Sequence, residues 1–183
     1  MNAIRCDTFR DIYIPNNSLV VLDVDDTVVL FKEMGRSWWA AREKELVLLH
    51  GAEKGRELVM REWVHGAHLH EPVLTDPEEF PRFLQRVFDA GAHLIFLTAR
   101  SAELRQLTEF HLTSCGVTVE SENVYFSRDK GAALKSIVCS GGFSEVVFID
   151  DMEHNLENVE RALKDVANLR TYHFVKHAPV ALA

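Results

Sequence analysis

Three carboxylates and a hydroxyl stand together at Asp23, Asp25, Asp26 and Thr27. They follow directly on Leu19-Val20-Val21-Leu22, an apolar run rich in β-branched residues. Grouping like charges at the mouth of a hydrophobic core costs free energy unless a cation or a chemical task compensates. Paired acids two residues apart can attack an electrophile, move a proton or hold a hard metal ion. A second acidic pair, Asp150-Asp151, follows another apolar run, Val146 to Ile149. Between them in the chain stand Thr98-Ala99-Arg100, after His93 to Leu97, and Asp129-Lys130-Gly131, after a short apolar stretch.

These groups are far apart in sequence, so the elements that carry them must bring them together. Leu19 to Leu22 reads as a strand buried on both faces, as in a parallel sheet covered by helices. Pro15 to Ser18 is the turn before it. The stretch from Ile4 to Ile12 is a short helix or an extended lead-in. Val28 to Phe31 is a second apolar run. Helical patterns follow over Gly35 to His50 and Ala52 to Val64, and Gly66 to Pro72 is a loop. Asp76-Pro77-Glu78-Glu79 starts a helix, with Asp76 as N-cap and Pro77 at the first position, and that helix ends near Gly91.

From there strands and helices alternate. Strands are expected at His93 to Leu97, Asn123 to Phe126, Glu145 to Ile149 and Leu169 to Val175. Helices are expected from Ser101 to Ser114, stopped by Gly116, then Lys130 to Val138 and Met152 to Val166. Five strands separated mostly by helices indicate an α/β doubly wound parallel sheet. Such a sheet brings all its strand ends to one edge, where ligands bind. The helical stretch after the first strand is too long for a simple crossover. Residues 31–75 therefore read as a small helical cap inserted into a core of residues 1–30 and 76–183.

The four motifs resemble those of the haloacid dehalogenase-like superfamily, and within it the phosphatase branch. The likeness rests on D-x-D-x-T at Asp23 to Thr27, the hydroxyl of Thr98, the amine of Lys130 and the acidic pair Asp150-Asp151, in that order, each after an apolar strand. The resemblance implies a Rossmann-like core and a magnesium-dependent phosphatase. In that reading Asp23 is the nucleophile and forms an aspartyl-phosphate. Asp25 protonates the leaving group and later deprotonates water. Thr98 and Lys130 hold the phosphoryl oxygens. Asp23 and Asp150 ligate Mg2+ by their carboxylates, and Asp25 by its main-chain carbonyl. Lys135 competes with Lys130, but lies about 7 Å further along its helix axis at ~1.5 Å per residue. Asp25 also separates a phosphatase from the dehalogenase branch, which does not need that acid. A phosphotransferase of the same superfamily, or a catalytically weak phosphatase-like binding module, are the alternative readings.

Other residues carry plainer expectations. Asp26 reads as a polar turn residue and Thr27 as a local hydrogen-bonding group. Asp151 should point away from the site if its strand continues, in an outer-shell or water-mediated role. Arg100 and Arg128 could assist phosphate binding, but read by default as solvated arginines. Asn155 either orients an acid of the pair or faces solvent. His65, His68 and His70 read as cap surface rather than a zinc site. Trp38 and Trp39 read as cap packing, although one of them could overhang the substrate.

Composition sets outer bounds. With 183 residues and 47% hydrophobic content, one domain can bury a real core. A net charge of -8 excludes a broad nucleic-acid or anionic-membrane footprint. The odd, widely spaced cysteines Cys6, Cys115 and Cys139 argue against a disulfide framework and for a reducing compartment. No apolar run has signal-peptide or membrane-span length. A cytoplasmic protein acting on a phosphorylated small molecule or phosphoprotein is the resulting expectation.

Overall fold

The computed structural model describes residues 3–175. Residues 1–2 and 176–183 of the expected core lie outside this range.

Strand β2 (Leu19–Leu22) is buried along its whole length and forms the middle of the sheet. It pairs in parallel with β5 (His93–Thr98) on one side and β7 (Glu145–Asp150) on the other. The sheet continues to β6 (Val124–Phe126) beyond β5, and to β8 (Asn168–Phe174) and β1 (Ile4–Cys6) beyond β7. All five pairings are parallel. After β2 the chain steps to β5 and β6, then returns to β7 on the opposite side of β2. That reversal makes the carboxyl end of β2 a switch point, where the crossovers diverge and leave a crevice.

Alternation along the central strands builds two cores. Val20, Leu22, Phe96, Val147 and Ile149 face α3 (Phe80–Asp89) and α4 (Arg105–Ser114), which contribute Phe80, Phe83, Val87 and Leu112. Leu19, Val21, Ile95, Leu97, Val146 and Phe148 face α5 (Lys130–Gly141) and α6 (Glu153–Leu163), which contribute Leu134, Val138, Leu156 and Val159. Each fully buried aliphatic or aromatic side chain is worth about 1.5–3 kcal/mol. The strand termini that carry polar groups therefore sit on a rigid frame.

Between β2 and β5 a two-stranded antiparallel ribbon, β3 (Val29–Leu30) with β4 (Val73–Leu74), brackets a helical hairpin. The hairpin is α1 (Arg36–His50) and α2 (Ala52–Ala67), turned at Gly51 with φ +83°. The two helices cross closely at Gly55. A Cβ there would come within 2.5 Å of the Val47 nitrogen on α1. Phe31, Met34, Trp63 and Ala67 form a third, smaller core, against which Leu104 and Leu107 pack at the foot of the hairpin. Among the described residues no helix is long and apolar enough to cross a membrane.

Several expectations are corrected. The sheet has six strands, because Ile4–Cys6 pairs with β8 at the edge and Phe9–Asp11 is a 3-10 turn. The second hairpin helix runs to Ala67, through Gly66, because Gly66 packs against the Met34 side chain where a Cβ would clash. Asp76 does not cap α3. Its carboxylate accepts bonds from the Thr8 hydroxyl and the Phe9 amide, and so caps the N-terminal turn instead. Helix α3 begins at Phe80, with Pro81 rather than Pro77 in its first turn. The last two helices and strand begin and end within three residues of expectation; α5 runs on to Gly141 and stops at Gly142, φ +68°.

Candidate active site

Asp23 is the first residue past β2, and its amide still donates to Ile149 O on β7. The side chain is thereby aimed into the crevice at the switch point. Asp150 ends β7, and Asp151 follows in the bend. Lys130 opens α5, capped by the Asp129 side chain, which accepts from the Ala132 amide. An ammonium at a helix N-terminus meets the unfavourable end of the dipole. Two carboxylates offset this here: Lys130 Nζ lies 2.5 Å from Asp23 Oδ1 and 2.6 Å from Asp150 Oδ2. The carboxylate of Asp150 is held further by the Asn155 amide, at 3.0 and 3.1 Å, and by the Met152 N–H at 2.8 Å. Asn155 thus orients Asp150 rather than facing solvent.

Asp151 departs from expectation. The strand stops at Asp150, so alternation no longer governs the next residue, and the Asp151 carboxylate turns into the cluster. One oxygen each from Asp23, Asp150 and Asp151 lie within 4.8 Å of one another, all three residues buried. Arg36 on α1 reaches this end from the hairpin, 3.5 Å from the Asp151 carboxylate and 3.2 Å from its carbonyl. His173 on β8 bonds the same carbonyl.

The electrostatics follow from burial. Burial pushes the Asp23 carboxyl up to about 7, with Asp150 and Asp25 adding to the effect and Lys130 opposing it. Burial, Asp23, Asp150 and Asp26 push Asp151 up to about 8, against Arg36. Asp26 is pushed to about 6, chiefly by burial and then by Asp25. Burial alone would lower Lys130, but Asp23 and Asp150 outweigh it and hold it above the usual lysine range. Three buried carboxylates thus share the Lys130 ammonium and, at the Asp151 end, the Arg36 guanidinium, and the raised values of Asp23 and Asp151 show that these cations do not fully offset burial and mutual repulsion. An all-oxygen donor set of this kind fits a hard divalent cation such as magnesium.

Thr98 ends β5, 1% exposed, and its hydroxyl accepts from the Arg100 amide at 3.2 Å. Asp25 lies in the loop after β2. Its carboxylate is outside the Asp23-Asp150-Asp151 group and is gripped by Arg100 at 2.6 and 2.8 Å. Arg100 is therefore not a solvated arginine: its side chain is 2% exposed. Arg128 is exposed, as is the site's sequence competitor Lys135. Asp26 takes a left-handed conformation, φ +57°, at the turn. Thr27 donates to Asp23 at 3.4 Å, and its carbonyl accepts from Thr75.

A cavity of about 280 Å3 opens over these groups. Asp23, Asp25, Thr98, Lys130 and Asp151 form its floor, and Met34, Trp39, Met60 and Trp63 its hairpin side. Trp38 and Trp39 both pack on the small third core, and Trp39 also lines the cavity. His65, His68 and His70 are exposed, and the acidic trio is the metal-competent group found among the described residues.

The chain matches the family described as "Protein of unknown function (DUF2608)" over residues 3–127 and 124–177. It belongs to the DUF2608 family. No curated protein matches the sequence. Among solved structures, the class C acid phosphatase from Bacillus anthracis is similar over 90% of this chain and 69% of that one, at 16% identity and TM-score 0.51. The same phosphatase with tungstate bound gives TM-score 0.50 at 16% identity, with the same coverage. The HAD domain of effector protein Lem4 from Legionella pneumophila is similar over 91% of this chain and 89% of that one, at 15% identity and TM-score 0.50. These likenesses show that this DUF2608 chain has the HAD-like α/β fold.

Arg100, Asp151 and Asn155 are the site residues that sequence reasoning undervalued. Asp151 and Asn155 stand one and five positions after Asp150, so proximity was the available signal. For Arg100 it was the position two residues past Thr98.

Proposed function

We propose that this chain is a magnesium-dependent phosphatase that hydrolyses a phosphate monoester through an aspartyl-phosphate. The observation that carries the reading is the direct meeting of Asp23, Lys130 and Asp150 at the carboxyl edge of the sheet. The acid phosphatase fold likeness supports it.

In this reading an oxygen of Asp23 attacks phosphorus, and the bond to the ester oxygen breaks. Asp25 gives that oxygen its proton. It then takes a proton from water as the water oxygen attacks phosphorus and Asp23 is released. Lys130 and the Thr98 hydroxyl hold the non-bridging oxygens as charge moves onto them. Magnesium, held by Asp23, Asp150 and the main-chain carbonyl of Asp25 with Asp151 beside them, supplies positive charge that makes an acidic pocket attractive to an anion. Residues 31–75 act as a cap, whose Trp39 and Met60 side excludes water and shapes the space for the leaving group. The substrate is a phosphorylated small molecule or a phosphoprotein.

The test is turnover of p-nitrophenyl phosphate with magnesium, in the native chain and in Asp23→Asn. Inorganic phosphate released by the first and not the second supports the reading; equal rates overturn it. Tungstate, the oxyanion held by the similar phosphatase, should inhibit competitively.

A further inference from the structure

Arg100 uses four of its five N–H donors inside the protein. Nε and Nη2 hold the two oxygens of Asp25, and Nη1 bonds the Thr108 hydroxyl and His111 Nδ1, each at 3.1 Å. Because the guanidinium can only donate, Nδ1 of His111 is the acceptor and the ring proton sits on Nε2. That proton goes to the Ala67 carbonyl at the end of α2, 2.9 Å away. The guanidinium also lies over the Trp63 ring, 5.1 Å from its centroid. Trp63 and Ala67 are four residues apart on α2 and so share a face.

Asp25 is a third exposed and faces the cavity, whereas its partner is buried. Among the described residues its carboxylate takes its hydrogen bonds from Arg100 alone. A planar fork fixes the plane of a carboxylate as well as its place, which a lysine cannot do. We propose that Arg100 is a positioning residue that sets the Asp25 carboxylate and ties it to the helical hairpin through Trp63 and His111. It rests on the phosphatase reading for its effect on rate. Seating the hairpin and placing Asp25 then become one event. If the hairpin lifts, Arg100 loses the ring on one face and His111 loses its carbonyl. Asp25 keeps lone pairs beyond those Arg100 occupies, and on its cavity side one of these can carry the proton that goes to the leaving oxygen.

The test separates placement of a proton donor from general disruption. Nitrophenyl, phenyl and alkyl phosphates need increasing help at the leaving oxygen. Arg100→Ala should lower kcat/KM, which reports the step that releases the leaving group, about 100-fold on the alkyl ester and only a few-fold on the nitrophenyl ester, within the usual range for general acid catalysis. Free guanidinium should restore much of the loss, and Arg100→Lys should not. His111→Gln should show the same leaving-group pattern more weakly. A uniform loss on all three esters, without rescue, overturns the positioning role while leaving the phosphatase reading intact. A second readout needs no turnover: in the folded chain, Asp25→Asn should move the Arg100 Nε–H and Trp63 indole resonances. Unmoved resonances overturn the tie, even if the chain proves not to be a phosphatase.

Discussion

The ammonium of Lys130 lies 2.5 Å from Oδ1 of Asp23, with the two side chains 1% and 8% exposed. The same ammonium reaches Asp150, whose side chain is fully buried. One cation thus holds two strand ends that are 127 positions apart in the chain (Asp23 to Asp150). Buried charges of this kind are costly when they lose a partner.

Lys130→Met keeps the bulk and removes the charge. Without metal, it should destabilise the chain by about 3–5 kcal/mol, the usual cost of orphaning buried charge. Magnesium should recover part of this, because it neutralises the same carboxylates. Urea unfolding in EDTA and in magnesium measures both. An unchanged midpoint in EDTA would show that the ion pair does not form. Turnover should fall by about 100-fold or more with the loss of a phosphoryl-oxygen donor.

Magnesium should stabilise the native chain, since the acidic trio is assembled only when the sheet is folded. At 100 times its Kd, the gain is about 2.7 kcal/mol. Asp150→Asn should lose most of it. Thermal unfolding with and without EDTA reads the difference. Identical transitions for native and variant in magnesium would remove the trio as the binding site.

His111 predicts a pH dependence. Burial lowers its pKa to about 4, with Arg100 beside it adding to the effect; the Ala67 carbonyl and Asp25 act the other way, and His68 acts with Arg100. Its folded pKa is below the ordinary histidine value, so the unfolded chain binds the extra proton. The contribution of the neutral ring is therefore complete above about pH 6.5 and is lost as pH falls toward about 4. One proton limits the slope to about 1.4 kcal/mol per pH unit. The stability difference between native and His111→Gln, from urea midpoints at pH 7 and pH 4.5, should shrink at the lower pH. Parallel curves would contradict a neutral buried ring.

Gly55→Ala places a methyl 2.5 Å from the Val47 nitrogen, against backbone that cannot rotate away. The two hairpin helices must part. Overpacking of this kind costs about 1–3 kcal/mol. Because Met60, Trp63 and Trp39 ride on these helices, KM should rise more than kcat falls. A variant as stable as the native chain would mean that the helices are not in contact there.

Much of this was legible because it is local. An apolar run followed by acids marks a buried strand ending in polar groups, wherever the strand sits. Leu19 to Asp23, His93 to Thr98 and Val146 to Asp150 could be read this way, and alternation with helices implied parallel pairing. The fold class followed, and so did the placing of Asp23, Thr98, Lys130 and Asp150 at one edge of the sheet. Failures arose where a side chain chose a distant partner. Asp76 carries every local mark of a helix cap, yet its carboxylate serves Thr8 and Phe9. Ile4–Cys6 is too short to declare itself and becomes a strand by joining β8.

Sequence by itself determined which chemical groups stand at the ends of which buried strands, because hydrophobic periodicity and turn residues act over a few positions. Only the tertiary structure decided how those groups pair. Asp151 turned inward because its strand stopped one residue earlier. Arg100 left solvent because Asp25, His111 and Trp63, from three separate segments, together offset the cost of burying a guanidinium. Such compensation depends on where helices and loops pack in space, and no local pattern encodes it.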